Sequence, residues 1–156
     1  MTQTEVSEGE ASARGRKVAI VAARFNEFIV SSLVKGAVAS WERRGGEAQD
    51  LLVVRVPGAF ELPVVARKLA SAGEHEAIVA LGCVIRGDTP HFDFVAGECA
   101  RGLQQVNLDS GVPVIFGVLT VETVEQALER AAVSAMNKGG ESMDCAIEMA
   151  AVMAKL

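Results

Sequence analysis

Four apolar runs rich in valine, isoleucine and alanine recur along the chain, at residues 17–23, 51–56, 77–85 and 112–119. Predominantly apolar runs of this length are typical of strands that are buried on both faces of a parallel sheet. Helical patterns separate the runs, which gives the order βαβαβαβαα. Helices that connect parallel strands cover both faces of the sheet. The pattern therefore predicts an α/β protein: a three-layer αβα sandwich with a central, mainly parallel four-stranded sheet.

Apolar spacing and turn residues predict five helices. The first carries the apolar stripe Ile29, Leu33, Ala37 and Trp41 and ends at 45–46. The second covers 61–73, and the third runs from 91 to about 110. The fourth begins at a capping box of Thr123 and Gln126 and ends at 137–140, and the fifth covers 142–155. Residues 1–16 are polar and show no periodicity. They are predicted to form a flexible N-terminal tail before a single domain, residues 17–156.

Composition and charge exclude several classes of partner. The 156 residues carry a formal net charge of -5 and the basic residues are scattered, so nothing indicates a nucleic-acid surface. No stretch approaches the ~20 apolar residues that a membrane span needs. The three cysteines have no paired spacing. This favours reduced thiols in a cytoplasmic protein, and no metal-ligand motif accompanies them.

The loops that follow the strands are predicted to form one binding surface. Ligands of parallel α/β sheets bind outside the carboxyl ends of the strands. Residues 24–26, 57–61 and 86–91 follow the first three strands, and the loop from Thr120 follows the fourth. We therefore expect functional side chains in these loops.

Residues 82–91, Gly-Cys-Val-Ile-Arg-Gly-Asp-Thr-Pro-His, combine the end of a strand with the start of a helix. Asp88 or Thr89 can cap that helix. Pro90 suits its first position, so His91 falls in the first turn. The free amides of a helix N-terminus attract anions. We expect a phosphate site here, beside a histidine that can take or give a proton.

Four other residues are candidates whose sequence context also has a structural explanation. Phe25 is either a platform for a flat heterocycle or a hydrophobic staple for the first helix. Glu61 is either an acceptor for substrate hydroxyls or a first-turn carboxylate favoured by the helix dipole. Arg130 has the spacing of a solvated helix residue, and Lys138 suits a helix end for structural reasons. Spacing alone assigns no function to these two.

Motifs of other enzyme classes are missing from the sequence. The first strand is not followed by G-x-G-x-x-G, and neither the P-loop motif nor G-x-S-x-G occurs. A receiver-like signalling domain would need an acidic cluster after the first strand, where Arg24, Phe25 and Asn26 stand instead. Dinucleotide, P-loop, serine-hydrolase and receiver interpretations therefore lack their required parts.

Six motifs, in this order and spacing, closely resemble the 6,7-dimethyl-8-ribityllumazine synthase family from about residue 17 to about residue 155. They are A-R-F-N, V-P-G-A-F-E-L-P, G-C-V-I-R-G-D-T-P-H-F-D, V-I-F-G-V-L-T, E-Q-A-L-E-R-A and N-K-G. The resemblance implies a flavodoxin-like winding of the sheet. It also implies the penultimate step of riboflavin biosynthesis: 5-amino-6-(D-ribitylamino)uracil condenses with 3,4-dihydroxy-2-butanone 4-phosphate, which releases phosphate and water. No cofactor or metal is needed for this transferase reaction.

The resemblance also implies roles for individual residues. His91 shuttles protons and Arg130 holds the phosphate, and both count as catalytic. The residues implied to bind substrate are Phe25, Asn26, Ala59, Phe60, Glu61, Cys83, Val84, Ile85, Asp88, Thr89, Phe116 and Lys138. Among them, Phe25 stacks on the pyrimidine, and Asp88 and Thr89 meet the phosphate.

The family forms homopentamers, and some members assemble twelve of them into an icosahedral capsid with each active site between adjacent subunits. We therefore expect a homo-oligomer that acts on small molecules, with some pocket residues supplied by a neighbouring chain. The family's N-terminal segment commonly adds a strand to a neighbour's sheet. A non-catalytic flavin- or lumazine-binding or capsid-forming protein is the alternative. The presence of Phe25, Glu61, His91, Phe116 and Arg130 favours the enzyme.

Overall fold

The protein folds into the predicted alternation of strands and helices. The structure, a computed structural model, describes residues 2–156. Its elements are β1 (Val18–Ala23), α1 (Glu27–Arg43), β2 (Leu51–Val56), α2 (Leu62–Ala72), β3 (Ala77–Ile85), α3 (His91–Ser110), β4 (Val114–Val121), α4 (Val124–Ala131) and α5 (Lys138–Lys155). Short 3-10 helices, Ala48–Asp50 and Ala59–Glu61, precede β2 and α2.

The sheet has four strands in the order β2-β1-β3-β4, and every pair is parallel. This is the flavodoxin-like order, which confirms the predicted fold class. One apolar cluster lies between the sheet and α1, α4 and α5, and a second lies between the sheet and α2 and α3. The three predicted layers are therefore present.

Burial differs between the strands because of their positions in the sheet. β1 is buried along its whole length, and β3 is buried as far as Cys83. β2 lies at the edge, where Leu52 and Val53 are exposed. The interpretation of residues 51–56 as a buried strand is therefore wrong, although the bounds of the strand are confirmed. Successive side chains of a strand point to opposite faces, so the exposure of these two neighbours shows that both faces of this edge strand are partly open.

The boundary between α4 and α5 also differs from the prediction. Thr123 caps α4 as predicted, since the N–H of Gln126 donates to Thr123 Oγ1 over 3.1 Å, but Gln126 Oε1 accepts from the N–H of Glu122 (2.8 Å) rather than from that of Thr123 as in a full capping box. α4 ends at Ala131 rather than at 137–140, and Asn137 caps α5 through a hydrogen bond from the N–H of Gly140 (3.2 Å). The residues that were predicted to end one helix therefore begin the next.

The predicted tail contacts the domain at several points. Ala13 is buried, and its N–H donates to the carbonyl of Arg44 over 3.0 Å. Lys155 Nζ donates to the carbonyl of Glu8 over 2.6 Å. Met1 of the predicted tail lies outside the described residues. The division of the chain after residue 16 stays a prediction. No helix within residues 2–156 has the length and apolar character that crossing a membrane requires.

Candidate active site

The loops after β1 and β2 lie side by side at the carboxyl end of the sheet. The N–H of Arg24 donates to the carbonyl of Val56 over 2.7 Å, and that of Phe25 donates to the carbonyl of Pro57 over 2.9 Å. These bonds continue the pairing of the two strands into their loops. Phe25 is thereby held next to residues 57–61.

Asn26 connects the first of these loops to the end of β3. Its backbone is left-handed, with φ 61° and ψ 46°, a conformation that asparagine adopts more readily than most residues. Its Nδ2 donates to the carbonyl of Cys83 over 2.9 Å. Asn26 was predicted as a substrate contact, but in the single chain its amide cross-links two strand ends and does not line the cavity.

A cavity of about 820 Å³ opens between these loops and the start of α3. This volume is in the usual range for small-molecule sites. Nine of the predicted site residues line it: Phe25, Ala59, Phe60, Glu61, Cys83, Val84, Ile85, Thr89 and His91. The structure thus brings together residues of the first three predicted loops and of the end of β3, whereas the predicted loop from Thr120 does not line the cavity.

Aromatic rings form much of the cavity wall. The Phe25 side chain is 71% exposed, and Phe60 and Phe94 are exposed as well. A hydrophobic staple would bury Phe25 against the first helix, so its exposure favours the platform interpretation. Phe94 was missed by sequence reasoning. Phe92 was not predicted as a site residue either, and it also lines the cavity.

The end of β3 presents backbone groups to the cavity. The pairing of β1 with β3 ends at Ala22 and Leu81, whereas β4 follows β3 as far as Ile85. Residues 82–85 therefore have no strand partner on the β1 side, where only the Cys83 carbonyl meets Asn26. Burial raises the pKa of the Cys83 thiol to about 11. The thiol is protonated at neutral pH, so it is not a nucleophile.

Glu61 lies at the junction of the second loop with α2. Its N–H donates to the carbonyl of Gly58 over 3.2 Å. Its Oε1 would be 3.3 Å from a Cβ added at Gly58, so a larger residue there would press on the carboxylate. This carboxylate on the cavity wall can accept hydrogen bonds from ligand hydroxyls.

The start of α3 forms the remaining wall. His91 is the first helical residue. Pro90 was predicted to occupy the first position of the helix, but it stands one position before it. The N–H of His91 is 3.4 Å from Thr89 Oγ1, and the N–H of Asp93 donates to the carbonyl of Pro90 over 3.0 Å. Asp88 is exposed and does not line the cavity. Within residues 2–156, no three His, Cys, Asp or Glu side chains cluster as metal ligands would.

Comparisons with known proteins agree with this geometry. The family model of 6,7-dimethyl-8-ribityllumazine synthase matches residues 15–154. A 6,7-dimethyl-8-ribityllumazine synthase of Nitratidesulfovibrio vulgaris (strain DSM 19637 / Miyazaki F) is 54% identical over 156 residues, which is the whole of both chains. The chain belongs to the 6,7-dimethyl-8-ribityllumazine synthase family.

Three predicted site residues of this lumazine synthase family member stand apart from its cavity. Phe116 is the third of the eight residues of β4 and pairs with Ala80. Ala80 lies three residues before Cys83, which is about 10 Å along β3. Arg130 belongs to α4, on the opposite face of the sheet from α3, and its Nη1 donates to the carbonyl of Gln126 over 3.2 Å. Lys138 begins α5 and lies 2.9 Å from Glu141.

Among residues 2–156, no lysine or arginine lines the cavity of this lumazine synthase family member. Glu61 and His91 are the ionisable side chains at its wall besides the thiol of Cys83. Helix amides at the start of α3 are the other groups that attract an anion. A phosphorylated ligand would gain from a further cation.

Proposed function

We propose that the chain catalyses the condensation of 5-amino-6-(D-ribitylamino)uracil with 3,4-dihydroxy-2-butanone 4-phosphate to 6,7-dimethyl-8-ribityllumazine. The observation that carries this proposal is the aromatic cavity of a lumazine synthase family member, where Phe25, Glu61, Thr89 and His91 meet. The reaction is a transferase step of riboflavin biosynthesis and needs no cofactor or metal. The buried free thiols of Cys83 and Cys99 suit a reducing compartment, so we place the enzyme in the cytoplasm.

The uracil substrate occupies the aromatic side of the cavity. The exposed ring of Phe25 stacks on the pyrimidine, and the free backbone edge at 83–85 hydrogen-bonds to the polar rim of that ring. Ala59, Phe60 and Glu61 meet the ribityl chain, where the carboxylate accepts bonds from hydroxyl groups. These contacts fix the amine that attacks the ketone.

The butanone phosphate occupies the side formed by α3. The amides at the helix start and the hydroxyl of Thr89 bind the phosphate, with Asp88 next in the same loop. The amine attacks the ketone and loses water to give an imine. Proton transfers through His91 let phosphate leave, and the second amine closes the ring with loss of a second water. Holding the two substrates together supplies much of the acceleration, since good orientation is worth roughly 7–11 kcal/mol.

A neighbouring subunit completes this site. Phe116 and Arg130 lie too far from their own cavity to act there, and the Phe116 ring is 47% exposed on the surface of the chain. In a closed ring, the same surface of one subunit faces the cavity of the next. We infer a homopentamer, or an assembly of pentamers, in which the neighbour's Arg130 adds the missing cation and the neighbour's Phe116 covers the heterocycle of the substrate. Lys138 has a secondary place among the residues that complete the site.

A direct assay tests the reaction. The purified protein is mixed with both substrates, and the fluorescent lumazine is followed against the uncatalysed rate. We expect product to form above background, and to form more slowly with His91→Ala. No product above background, together with tight binding of riboflavin, would replace the enzyme by a flavin-binding protein. Sedimentation velocity then measures whether the active species is a pentamer or a larger shell.

Mixed oligomers test whether the site is shared. His91→Ala and Arg130→Ala subunits are expected to have low activity when each is assembled alone. If His91 and Arg130 of one site come from different subunits, co-refolded 1:1 mixtures regain about a quarter of the wild-type activity, because one site in four then holds both residues. Activity that stays at the average of the two variants would place both residues on the same chain.

A further inference from the structure

Arg86 is the charged residue of the 82–91 segment that has no part in the proposed function. It directly follows β3, and its N–H donates to the carbonyl of Val121 over 2.9 Å. This bond extends the β3–β4 pairing by one residue. The backbone of Arg86 is therefore fixed at the point where the loop of residues 87–90 begins.

The guanidinium of Arg86 connects three parts of the structure. Its Nε lies 3.0 Å from Glu122 Oε2, just after β4, and its Nη1 lies 3.3 Å from Asp93 Oδ1, in the first turn of α3. The same group stacks on the ring of Phe92, with 4.3 Å between the guanidinium carbon and the ring centroid. Arginine suits such a position because its planar group can bond to two carboxylates and stack at once.

The loop that Arg86 spans makes few contacts of its own. A Cβ added at Gly87 would meet nothing within 4 Å, and Asp88 is exposed. The amide of His91 reaches Thr89 Oγ1 only over 3.4 Å. Among the side-chain hydrogen bonds and ion pairs of residues 2–156, the one from Arg86 to Asp93 connects the strand end to the start of α3 across the loop.

We propose that Arg86 is a positioning residue for the reaction proposed above, and that it holds residues 87–90 and the first turn of α3 so that Thr89 and His91 keep their places in the cavity. Its charge is balanced by Asp93 and Glu122, so it is not a free cation for the substrate phosphate. Its side chain is 40% exposed and belongs to neither apolar cluster. The fold therefore depends little on it, while the geometry of the site depends on it strongly.

Kinetics of matched variants test this role after the wild-type enzyme has been shown to be active. Arg86→Gln is expected to lower kcat by roughly 10- to 100-fold, because small displacements of reacting groups are costly. Its thermal midpoint should stay close to that of the wild type. Arg86→Lys should recover only part of the rate, since an ammonium cannot bridge both carboxylates and stack. Arg101→Gln is the control, because Arg101 also forms an ion pair on α3, 3.6 Å from Glu98, but away from the loop.

The two carboxylate partners distinguish positioning from direct binding of the phosphate. Asp93→Asn and Glu122→Gln should each lower kcat, and the combination of either with Arg86→Gln should cost less than the sum of the single losses. The proposal is overturned if both carboxylate variants behave as wild type while Arg86→Gln raises only KM for the phosphate substrate. That result would make Arg86 a phosphate ligand.

Hydrogen exchange provides a readout that does not depend on activity. In Arg86→Gln, the hydrogen-bonded amides of residues 93–96 should exchange faster than in the wild type, while those of β1 stay unchanged. Wild-type exchange rates at 93–96 in that variant would refute the positioning role even if the enzyme were inactive. An inactive wild type with faster exchange in the variant would refute the proposed function alone.

Discussion

Gly139→Ala is expected to destabilise the protein by forcing α5 away from α1. A Cβ at Gly139 would lie 2.0 Å from the carbonyl oxygen of Leu33 and 2.6 Å from its carbonyl carbon. Both atoms belong to the backbone of α1, so no side-chain rotation relieves the contact. Non-bonded carbon atoms pack at about 3.5–4.0 Å. The two helices must therefore separate by more than an ångström at the start of α5.

The magnitude follows from two opposing effects. Overpacking of a well-packed interior costs about 1–3 kcal/mol, and a contact with rigid backbone belongs at the upper end of that range. Replacing a helical glycine by alanine returns about 0.5–1 kcal/mol. The free energy of unfolding should fall by about 2 kcal/mol, which corresponds to a decrease of about 4–8 °C in Tm for a chain of this length.

Gly97→Ala is the matched control, because a Cβ there would meet nothing within 4 Å in α3. This variant should be more stable than the wild type by about 0.5–1 kcal/mol. Denaturant unfolding is followed by the fluorescence of Trp41, which is 1% exposed and is the single tryptophan. Protein concentration is held constant, since association adds to stability. A Gly139→Ala variant as stable as the wild type would refute the steric argument.

Two further predictions concern the site. His91→Ala should lower kcat by roughly a hundredfold and leave KM nearly unchanged, because proton transfer is lost and the helix amides remain; an unchanged kcat in steady-state kinetics would remove His91 from the mechanism. Burial raises the pKa of Cys83 to about 11 and that of Cys99 to about 12. As the pH rises, these thiols therefore ionise in the unfolded chain before they ionise in the folded one. The free energy of unfolding should fall above about pH 8.5, by at most about 1.4 kcal/mol per pH unit for each thiol. Denaturant titrations between about pH 7 and pH 10 measure this, and equal stability across that range would contradict it.

The strands were predictable because their apolar runs are long and uniform. The bounds of β2 and β3 match the runs at 51–56 and 77–85. The exposure of Leu52 was not predictable, since a run of apolar residues does not show which strand lies at the edge. That depends on the order of the strands in space, which here places β2 outermost.

The start of α5 was predicted wrongly because glycine occurs both at the ends of helices and at close contacts between helices. Gly139 and Gly140 follow an asparagine, which is typical of the end of a helix. In the structure Asn137 begins α5 with φ 47°, and the glycines allow close contact. Gly139 contacts the backbone of Leu33, and a Cβ at Gly140 would lie 2.5 Å from Asn137 Nδ2. Only a tertiary contact distinguishes these uses, so local pattern alone leads to the wrong helix end.

In the candidate site, too, some contacts could be predicted from the local sequence pattern and others could not. Phe25, Glu61 and His91 were predictable as neighbours because parallel strands bring their carboxyl ends to one edge of the sheet. The hydrogen bond from Asn26 to the Cys83 carbonyl was not, since it joins loops 57 residues apart. Phe116 is an aromatic residue near the start of β4 that stays about half exposed. This exposure and the cavity lining, which within residues 2–156 includes no lysine or arginine, support the same inference of a shared site.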